Sequence, residues 1–258
     1  MKEKALIVIP ARMASTRFPG KPLAKIAGIA MIERVWSIAR MLPYDIVIAT
    51  DDSRIYDFTT RFGAHAIHTS SSCRTGTDRV AEASRAFPEY NIVFSLQGDA
   101  VLTPPWVIEK VLSCMLADVS FQMATPAVKL TGKTLTDFAD TKQKGSSTGT
   151  CVVFDEKKRA LYFSKALIPS RRDECTAVFR HIGLYAYRFE VLQQVSHLPQ
   201  GSLERAEGLE QLRALENGIP IQVVEVDYQG RTHGSVDRPE DIAWVESIIA
   251  QEGDLVCV

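Results

Sequence analysis

The feature that most constrains this chain is an apolar run that empties into a cationic loop. Ala5 to Ile9 is uninterrupted apolar sequence, which reads as a strand buried on both faces, the kind that parallel sheets contain. Arg12, Arg17 and Lys21 follow at once, separated by small and turn-forming residues. The backbone can therefore fold tightly and aim all three cations at one point. A loop at the carboxyl end of a parallel strand is where an open α/β sheet binds its ligand. Two guanidinium forks and an ammonium point charge suit a polyphosphate better than a single carboxylate. Neither Gly-x-x-x-x-Gly-Lys-[Ser/Thr] nor Gly-x-Gly-x-x-Gly occurs at this loop, so it is neither a P-loop nor a dinucleotide turn. On these residues alone, a solvated basic loop without a ligand stays open.

The first half alternates short apolar strands with helical patterns. Met31–Met41 reads as a helix with Ile32, Val35, Trp36 and Ala39 on one face, and Asp45–Thr50 as a second buried strand. A helix over Ser53–Phe62 is closed by Gly63, followed by a strand Ala64–His68, a helix Thr77–Phe87, a strand Asn91–Leu96 and a helix Pro104–Leu116. This βαβα rhythm predicts a doubly wound, mostly parallel sheet. After about Ser120 the pattern changes. Val119–Lys129, Thr150–Phe154, Leu161–Ser164 and Val178–Tyr187 read as strands with no helices between them, and the polar stretch Lys129–Ser147 reads as a mobile loop. A helix Ser202–Leu215, a strand Ile219–Val226 and a helix Arg238–Ala250 close the chain. The reading is one α/β domain over 1–258, with a nucleotide-binding half at 1–118 and a mixed-sheet acceptor and dimerisation half at 119–258.

Net charge is −1 over 258 residues, which gives no reason to expect nucleic acid or an anionic membrane as partner. No apolar run reaches the length of a membrane span, and no secretory leader precedes the first strand. Five cysteines, Cys73, Cys114, Cys151, Cys175 and Cys257, are widely spaced without a Cys-x-x-Cys pair. Free thiols and a cytoplasmic location are expected.

The order Pro10-Ala11-Arg12, Ser15-Thr16-Arg17, Pro19-Gly20-Lys21-Pro22-Leu23 resembles the nucleotide-binding signature of 3-deoxy-manno-octulosonate cytidylyltransferases (CMP-Kdo synthetases). The resemblance runs from Ala5 to about Ile249. It implies the nucleotide-diphospho-sugar transferase type of fold, a homodimer and a Mg2+-dependent reaction. In that reaction CMP passes from CTP to a ulosonic acid, with release of pyrophosphate, for lipopolysaccharide biosynthesis. It implies that Arg12, Arg17 and Lys21 hold the triphosphate and act in catalysis, with Pro10, Ala11 and Ser15 lining the loop. Thr75-Gly76-Thr77-Asp78-Arg79 resembles the family's Ser-Gly-Thr-Glu-Arg turn beside the cytosine, which implies nucleotide contacts for Thr75, Gly76, Thr77 and Arg79. Thr77 can equally be an ordinary helix N-cap.

Gln97-Gly98-Asp99 and Val236-Asp237-Arg238-Pro239-Glu240-Asp241 match two further motifs. The resemblance implies that Gln97 and Gly98 meet the nucleotide and that Asp99 and Asp237 hold magnesium, with Asp99 catalytic. A hard cation that also binds phosphate needs only one or two protein carboxylates. The alternative for Asp237 is an N-cap of the last helix. On the acceptor side the family places a His and a Tyr at the sugar acid, here His181 and Tyr185. Glu207-Gly208-Leu209-Glu210-Gln211-Leu212-Arg213 matches its Glu-x-Leu-Glu-Gln-Leu-Arg helix. Glu207, Glu210 and Gln211 would share one face of it, with Glu210 and Gln211 on acceptor hydroxyls; Lys165 stands where the family carries Arg.

The chain departs from the pattern at Ala100, where a carboxylate is usual, at Cys151, where Lys is usual, and at Ser235, where Gly is usual. It also lacks the usual Trp at Pro169-Ser170-Arg171-Arg172. These departures cluster on the acceptor side and around the metal. Two other outcomes stay open: the same transfer onto another ulosonate or a phosphonate, and a nucleotide-binding relative without catalysis.

Overall fold

The computed structural model describes residues 3–15, 17–146, 148–170, 172 and 176–256. The chain divides into two compact units, Met1–Leu112 with Tyr228–Val258, and Ser113–Asp227. This division places the C-terminal segment with the first unit, where the sequence reading drew its two halves at 118/119. Named pairs anchor it there: the Ala27 N–H donates to Glu246 at 2.8 Å, and Arg34, almost wholly buried, pairs with Asp254 at 2.5 Å.

In the first unit the chain runs through β1 (Ala5–Ala11), a 3-10 turn (Lys21–Leu23), the hairpin strands β2 (Lys25–Ile26) and β3 (Ile29–Ala30), α1 (Met31–Ala39), β4 (Asp45–Thr50), α2 (Ser53–Arg61), β5 (Ala66–His68), α3 (Gly76–Ser84) and β6 (Ile92–Ser95). Four strands lie parallel in the order β5-β4-β1-β6. Leu6, Ile7, Val8 and Ile9 are all buried, as a strand covered on both faces requires. Full burial of such a side chain contributes roughly 1.5–3 kcal/mol, so this strand is the core of the unit. Helix α1 buries the expected face, Ile32, Val35, Trp36 and Ala39. The chain steps from β1 to β4 on one side and later to β6 on the other. The loops that follow β1 and β6 therefore diverge, and their divergence opens a crevice at the carboxyl ends of the strands.

Helix α4 (Pro105–Ala117) carries the chain into the second unit. There follow β7 (Met123–Leu130), α5 (Gly132–Gln143), β8 (Thr150–Phe154), β9 (Ala160–Ser164), β10 (Val178–His181), β11 (Tyr185–Arg188), α6 (Phe189–His197), α7 (Ser202–Glu207), α8 (Gln211–Glu216) and β12 (Ile221–Glu225). Helix α9 (Asp241–Glu252) returns to the first unit. Strands β11 and β10 pair antiparallel with β7, β8 with β10, and β9 with β8, while β12 runs parallel to β7.

Three expectations for this half need correction. The stretch read as a loop is helix α5 over most of its length. Thr131 and Thr134 tie its first turn, with Thr134 Oγ1 accepting the Thr131 N–H at 3.3 Å, and Phe138 and Ala139 supply its buried stripe. The long strand read over Val178–Tyr187 is two strands: Ile182, Gly183 and Leu184 interrupt it, and Leu184 N–H turns back to the Ile182 carbonyl at 2.7 Å. The helix read over Ser202–Leu215 is also two, because Gly208 adopts φ +65° and ends α7. Thr16, Ser147, Arg171, Cys175 and Cys257 lie outside the described residues. Among those described, Cys73, Cys114 and Cys151 are free thiols, and no helix is long and apolar enough to cross a membrane.

Candidate functional site

The loop after β1 is folded onto itself. Ser15 N–H and Gly20 N–H both donate to the Met13 carbonyl, at 3.0 and 3.1 Å, and Ser15 Oγ accepts the Phe18 N–H at 3.2 Å. Gly20 takes φ +74°, a left-handed conformation that favours glycine. Pro22 then sits in the first turn of the short 3-10 helix that fixes Lys21. Arg12, Arg17 and Lys21 line one cavity of about 210 Å³ in the first unit, together with Pro10, Ala11, Ser15, Pro22, Thr75, Gly76, Arg79, Gln97, Gly98, Asp99 and Asp237. Pro22 is the lining residue that sequence reasoning did not single out as a site residue, although it lay inside the matched motif. Thr77 is the one expected nucleotide residue not among those lining it.

The two walls beside the loop come from other elements. Thr75, not Thr77, caps α3: its Oγ1 accepts the Asp78 N–H at 3.1 Å, and the Asp78 carboxylate accepts the Thr75 N–H at 3.1 Å. That reciprocal cap satisfies two helix-end donors at once and holds Gly76 at the cavity wall. Arg79 is buried and held from behind by Asp51 at 3.2 Å and Thr69 at 2.5 Å. Gly98 packs against the loop itself, since a Cβ there would lie 3.0 Å from the Pro10 carbonyl oxygen. Arg12 reaches across to the Arg74 carbonyl at 3.4 Å.

Both candidate metal carboxylates open onto this cavity, each facing a loop cation. Lys21 Nζ lies 2.5 Å from Asp99 Oδ2, and Arg17 Nη2 lies 3.3 Å from Asp237 Oδ1. Asp237 is not the N-cap of α9. Glu240 holds that position, without a side-chain cap; Asp241 Oδ2 accepts the N–H groups of Asp237 at 2.7 Å and Arg238 at 2.8 Å, and the Asp237 carboxylate faces Arg17. Among the described residues no three His, Cys, Asp or Glu side chains gather into a metal cluster. Two hard oxygen donors in a cavity ringed by cations fit a divalent cation whose other ligands are phosphate oxygens and water.

The expected acceptor residues all fall in the second unit. His181 is buried at the end of β10, and its ring centre lies 5.6 Å from that of Tyr185 at the start of β11. They meet across the interruption at 182–184 between β10 and β11 and not along one strand. Phe163 packs edge-on against His181 at 4.9 Å. Thr125 Oγ1 is 2.9 Å from His181 Nε2 and donates to the Leu184 carbonyl at 2.7 Å. Its one proton being spent there, the hydroxyl can only accept from the imidazole. His181 is therefore the Nε2–H tautomer with a lone pair at Nδ1. Burial, assisted by the charge of Lys165, pushes its pKa down to about 3, which keeps it neutral. Burial also raises the Tyr185 hydroxyl well above its usual value, with the neighbouring Tyr187 and Glu210 adding to it.

Glu207, Glu210 and Gln211 do not share a helix face, because Gly208 separates α7 from α8. Glu207 instead accepts from Ser164 Oγ and the Lys165 N–H, both at 2.7 Å, fixing the end of β9. Glu210 is exposed and Gln211 is buried, its amide Nε2 lacking a hydrogen-bond partner. Leu209 and Leu212 pack inward as expected.

Known proteins resemble this chain over nearly its whole length. A family model described as cytidylyltransferase matches residues 6–224. The chain is 52% identical over 256 residues to the 3-deoxy-manno-octulosonate cytidylyltransferase of Maricaulis maris, covering 97% of this chain and 99% of that protein. It is 40% identical over 252 residues to the enzyme of the same name from Chlamydia trachomatis, covering 96% and 95%. A solved structure of CMP:2-keto-3-deoxy-manno-octonic acid synthetase complexed with CTP superposes with a TM-score of 0.87 at 37% identity, over 97% of this chain and 100% of that one. A β-strand emptying into a tight cationic loop, two flanking carboxylates and similarity over nearly the full length lead to one conclusion: this chain belongs to the 3-deoxy-manno-octulosonate cytidylyltransferase family.

Proposed function

We propose that the protein transfers CMP from CTP to 3-deoxy-manno-octulosonate and releases pyrophosphate. The carrying observation is the convergence of Arg12, Arg17 and Lys21 with Asp99 and Asp237 on one cavity where the loops after β1 and β6 part. The cations offset charge on the triphosphate, and their fixed positions supply most of the catalysis, as positioning and charge stabilisation do in other phosphoryl-type transfers. Pro10, Ala11 and Ser15 shape the loop around the phosphates. Thr75, Gly76, Gln97 and Gly98 present backbone and amide groups to the base.

Asp99 and Asp237 would hold Mg2+, which supplies a Lewis acid at the phosphate and lowers the pKa of the attacking hydroxyl. Lys21 and Arg17, the present partners of those carboxylates, then turn to the phosphate oxygens. The acceptor's anomeric hydroxyl attacks the α-phosphorus, the bond to the β-phosphate oxygen breaks, and pyrophosphate leaves. His181, Tyr185, Glu210, Gln211 and Lys165 bind the acid: neutral His181 offers an acceptor at Nδ1, and Gln211 offers an unpartnered buried amide donor.

The reading extends to a cytoplasmic homodimer. Its support is the edge strand β9, where Leu161 is 63% exposed; such edges are normally covered. Leu161 faces outward there, while Phe163 on the same strand and Val152 on β8 are buried.

Pyrophosphate release with CTP, Mg2+ and a panel of ulosonates and phosphonates tests the reading. Release that requires a ulosonate and is abolished by EDTA, by Asp99→Asn and by Asp237→Asn is expected. Full activity in EDTA would remove the metal from the account, and no release with any acid would leave a nucleotide-binding protein without catalysis.

A further inference from the structure

Asp237 stands on irregular chain, and irregular chain does not by itself aim a side chain. From Gly234 to Asp237 burial alternates: Gly234 and Val236 are buried, while Ser235 and Asp237 are exposed. That is the pattern of an extended segment with one side against the core. It turns the Asp237 carboxylate outward, where Arg17 Nη2 lies 3.3 Å away. Ser235 faces out as well, so its departure from the family's Gly leaves the packing of this segment untouched.

Helix α9 holds the segment at three places. Glu252, at the far end of the helix, accepts the Thr232 N–H on its carboxylate at 2.9 Å and Arg231 Nη1 on its carbonyl at 3.0 Å. In the middle the Trp244 ring lies against the Gly234 backbone, where a Cβ would sit 2.5 Å from Cζ3 and 3.5 Å from Leu102 Cδ1. At the near end one oxygen of Asp241 accepts the N–H groups of both Asp237 and Arg238, at 2.7 and 2.8 Å, and a carboxylate makes such bonds stronger than a neutral acceptor does. Asp241, Trp244 and Glu252 recur at spacings that put them on one side of a helix. The helix is in turn fixed to the hairpin that follows Lys21–Leu23, since Glu246 accepts the Ala27 N–H at 2.8 Å. One rigid element thus refers the Asp237 backbone to the chain that carries Arg17 and Lys21.

We infer that Asp241 and Trp244 are positioning residues for Asp237: from one face of α9 they fix the backbone that aims its carboxylate at the metal site. The inference rests on the metal reading given above.

The test uses Mn2+ with one equivalent of CTP, titrated with protein in the absence of any acid, with bound Mn2+ read by electron paramagnetic resonance. Loss of a group that orients a metal ligand weakens metal binding about tenfold to a hundredfold. Asp241→Ala should raise the Kd for Mn2+ with CTP by that factor, Trp244→Ala should raise it too, and Asp241→Asn, which keeps an acceptor oxygen, should stay near wild type. Calorimetric Kd values for CTP in EDTA should stay within about twofold in all three, because Asp241 and Trp244 hold a metal carboxylate and not the triphosphate. Glu246→Ala separates positioning from stability: it loosens the same helix away from Asp237, so it should lower Tm and leave Mn2+ binding unchanged. A folded Asp241→Ala or Trp244→Ala protein with wild-type Mn2+ affinity overturns the inference, as does a Glu246→Ala protein that loses as much affinity as Asp241→Ala. Should Asp241→Ala fail to fold, Trp244→Ala decides alone. A wild type whose Mn2+ binding survives Asp237→Asn unchanged defeats the metal reading and this inference with it.

Discussion

Replacing Lys21 with methionine keeps most of the side chain's stem and removes its charge. In the free protein the ammonium sits 2.5 Å from Asp99 Oδ2, with the two side chains 16% and 27% exposed. A hydrogen bond between charged groups contributes about 1.5–3 kcal/mol, and partial solvent access puts this pair at or below the lower end. For a chain of this size a loss of about 1.5 kcal/mol lowers Tm by roughly 3–6 °C. The catalytic effect is larger. A preorganised cation facing charge that develops in the transition state contributes about 2.7–4 kcal/mol, or 10²–10³ in kcat. Lys21→Met should therefore melt a few degrees lower yet turn over at least about a hundredfold more slowly at saturating CTP and acid. Its carboxylate neighbour gains freedom, so binding of Mn2+ as a probe of the metal site should not weaken. Pyrophosphate release and a thermal melt on the same preparation separate the two effects. A folded variant with near wild-type kcat would show that Lys21 serves the fold through Asp99 and leaves the phosphate alone.

Three further outcomes follow from the geometry. His181 has its pKa lowered from 6.5 to about 3 in the folded protein, so protons favour the unfolded chain. Its penalty is negligible above pH 7.5 and grows as pH falls through 6.5, reaching about 1.4 kcal/mol at pH 5.5; urea unfolding at both pH values should show this loss in the wild type and not in His181→Gln, and an equal loss in both would refute it. Gly98→Ala presses a methyl group against the Pro10 carbonyl and should cost about 1–3 kcal/mol, whereas Gly76→Ala meets only ordinary contacts, the nearest at 3.5 Å to Gln97 Oε1, and should fold normally while losing CTP affinity. Calorimetry and CTP titration of the two variants check this pair, and a fall in CTP affinity confined to Gly98→Ala would count against Gly76 as a base contact. Light scattering should give twice the chain mass, reduced towards the monomer in Leu161→Lys; a wild-type monomer contradicts the dimer.

What the sequence revealed depended on how local the signal was. Strand β4 was read to the residue, because Asp45–Thr50 is a short apolar run bounded by turn and cap residues, and burial on both faces leaves it no other place. The cavity was legible for the same reason: Arg12, Arg17 and Lys21 lie on one short loop whose tight turn is written in Ser15, Pro19 and Gly20. Helix α5 was not legible, since only Leu135, Phe138 and Ala139 mark its inner face and its polar remainder looks like loop. The break at Ile182–Leu184 is set by Thr125, which holds two of those carbonyls from a strand far away in sequence. Gly208 was visible, but a lone glycine inside a helical pattern is tolerated often enough that its left-handed φ could not be foreseen.

The most direct test of the central claim is phosphorus NMR of the protein with CTP, Mg2+ and 3-deoxy-manno-octulosonate. The account predicts that the three CTP resonances decay into one phosphodiester signal and pyrophosphate in equal amounts, only when the acid is present. CTP that stays intact with the acid present, or that breaks down equally well without it, would contradict the account.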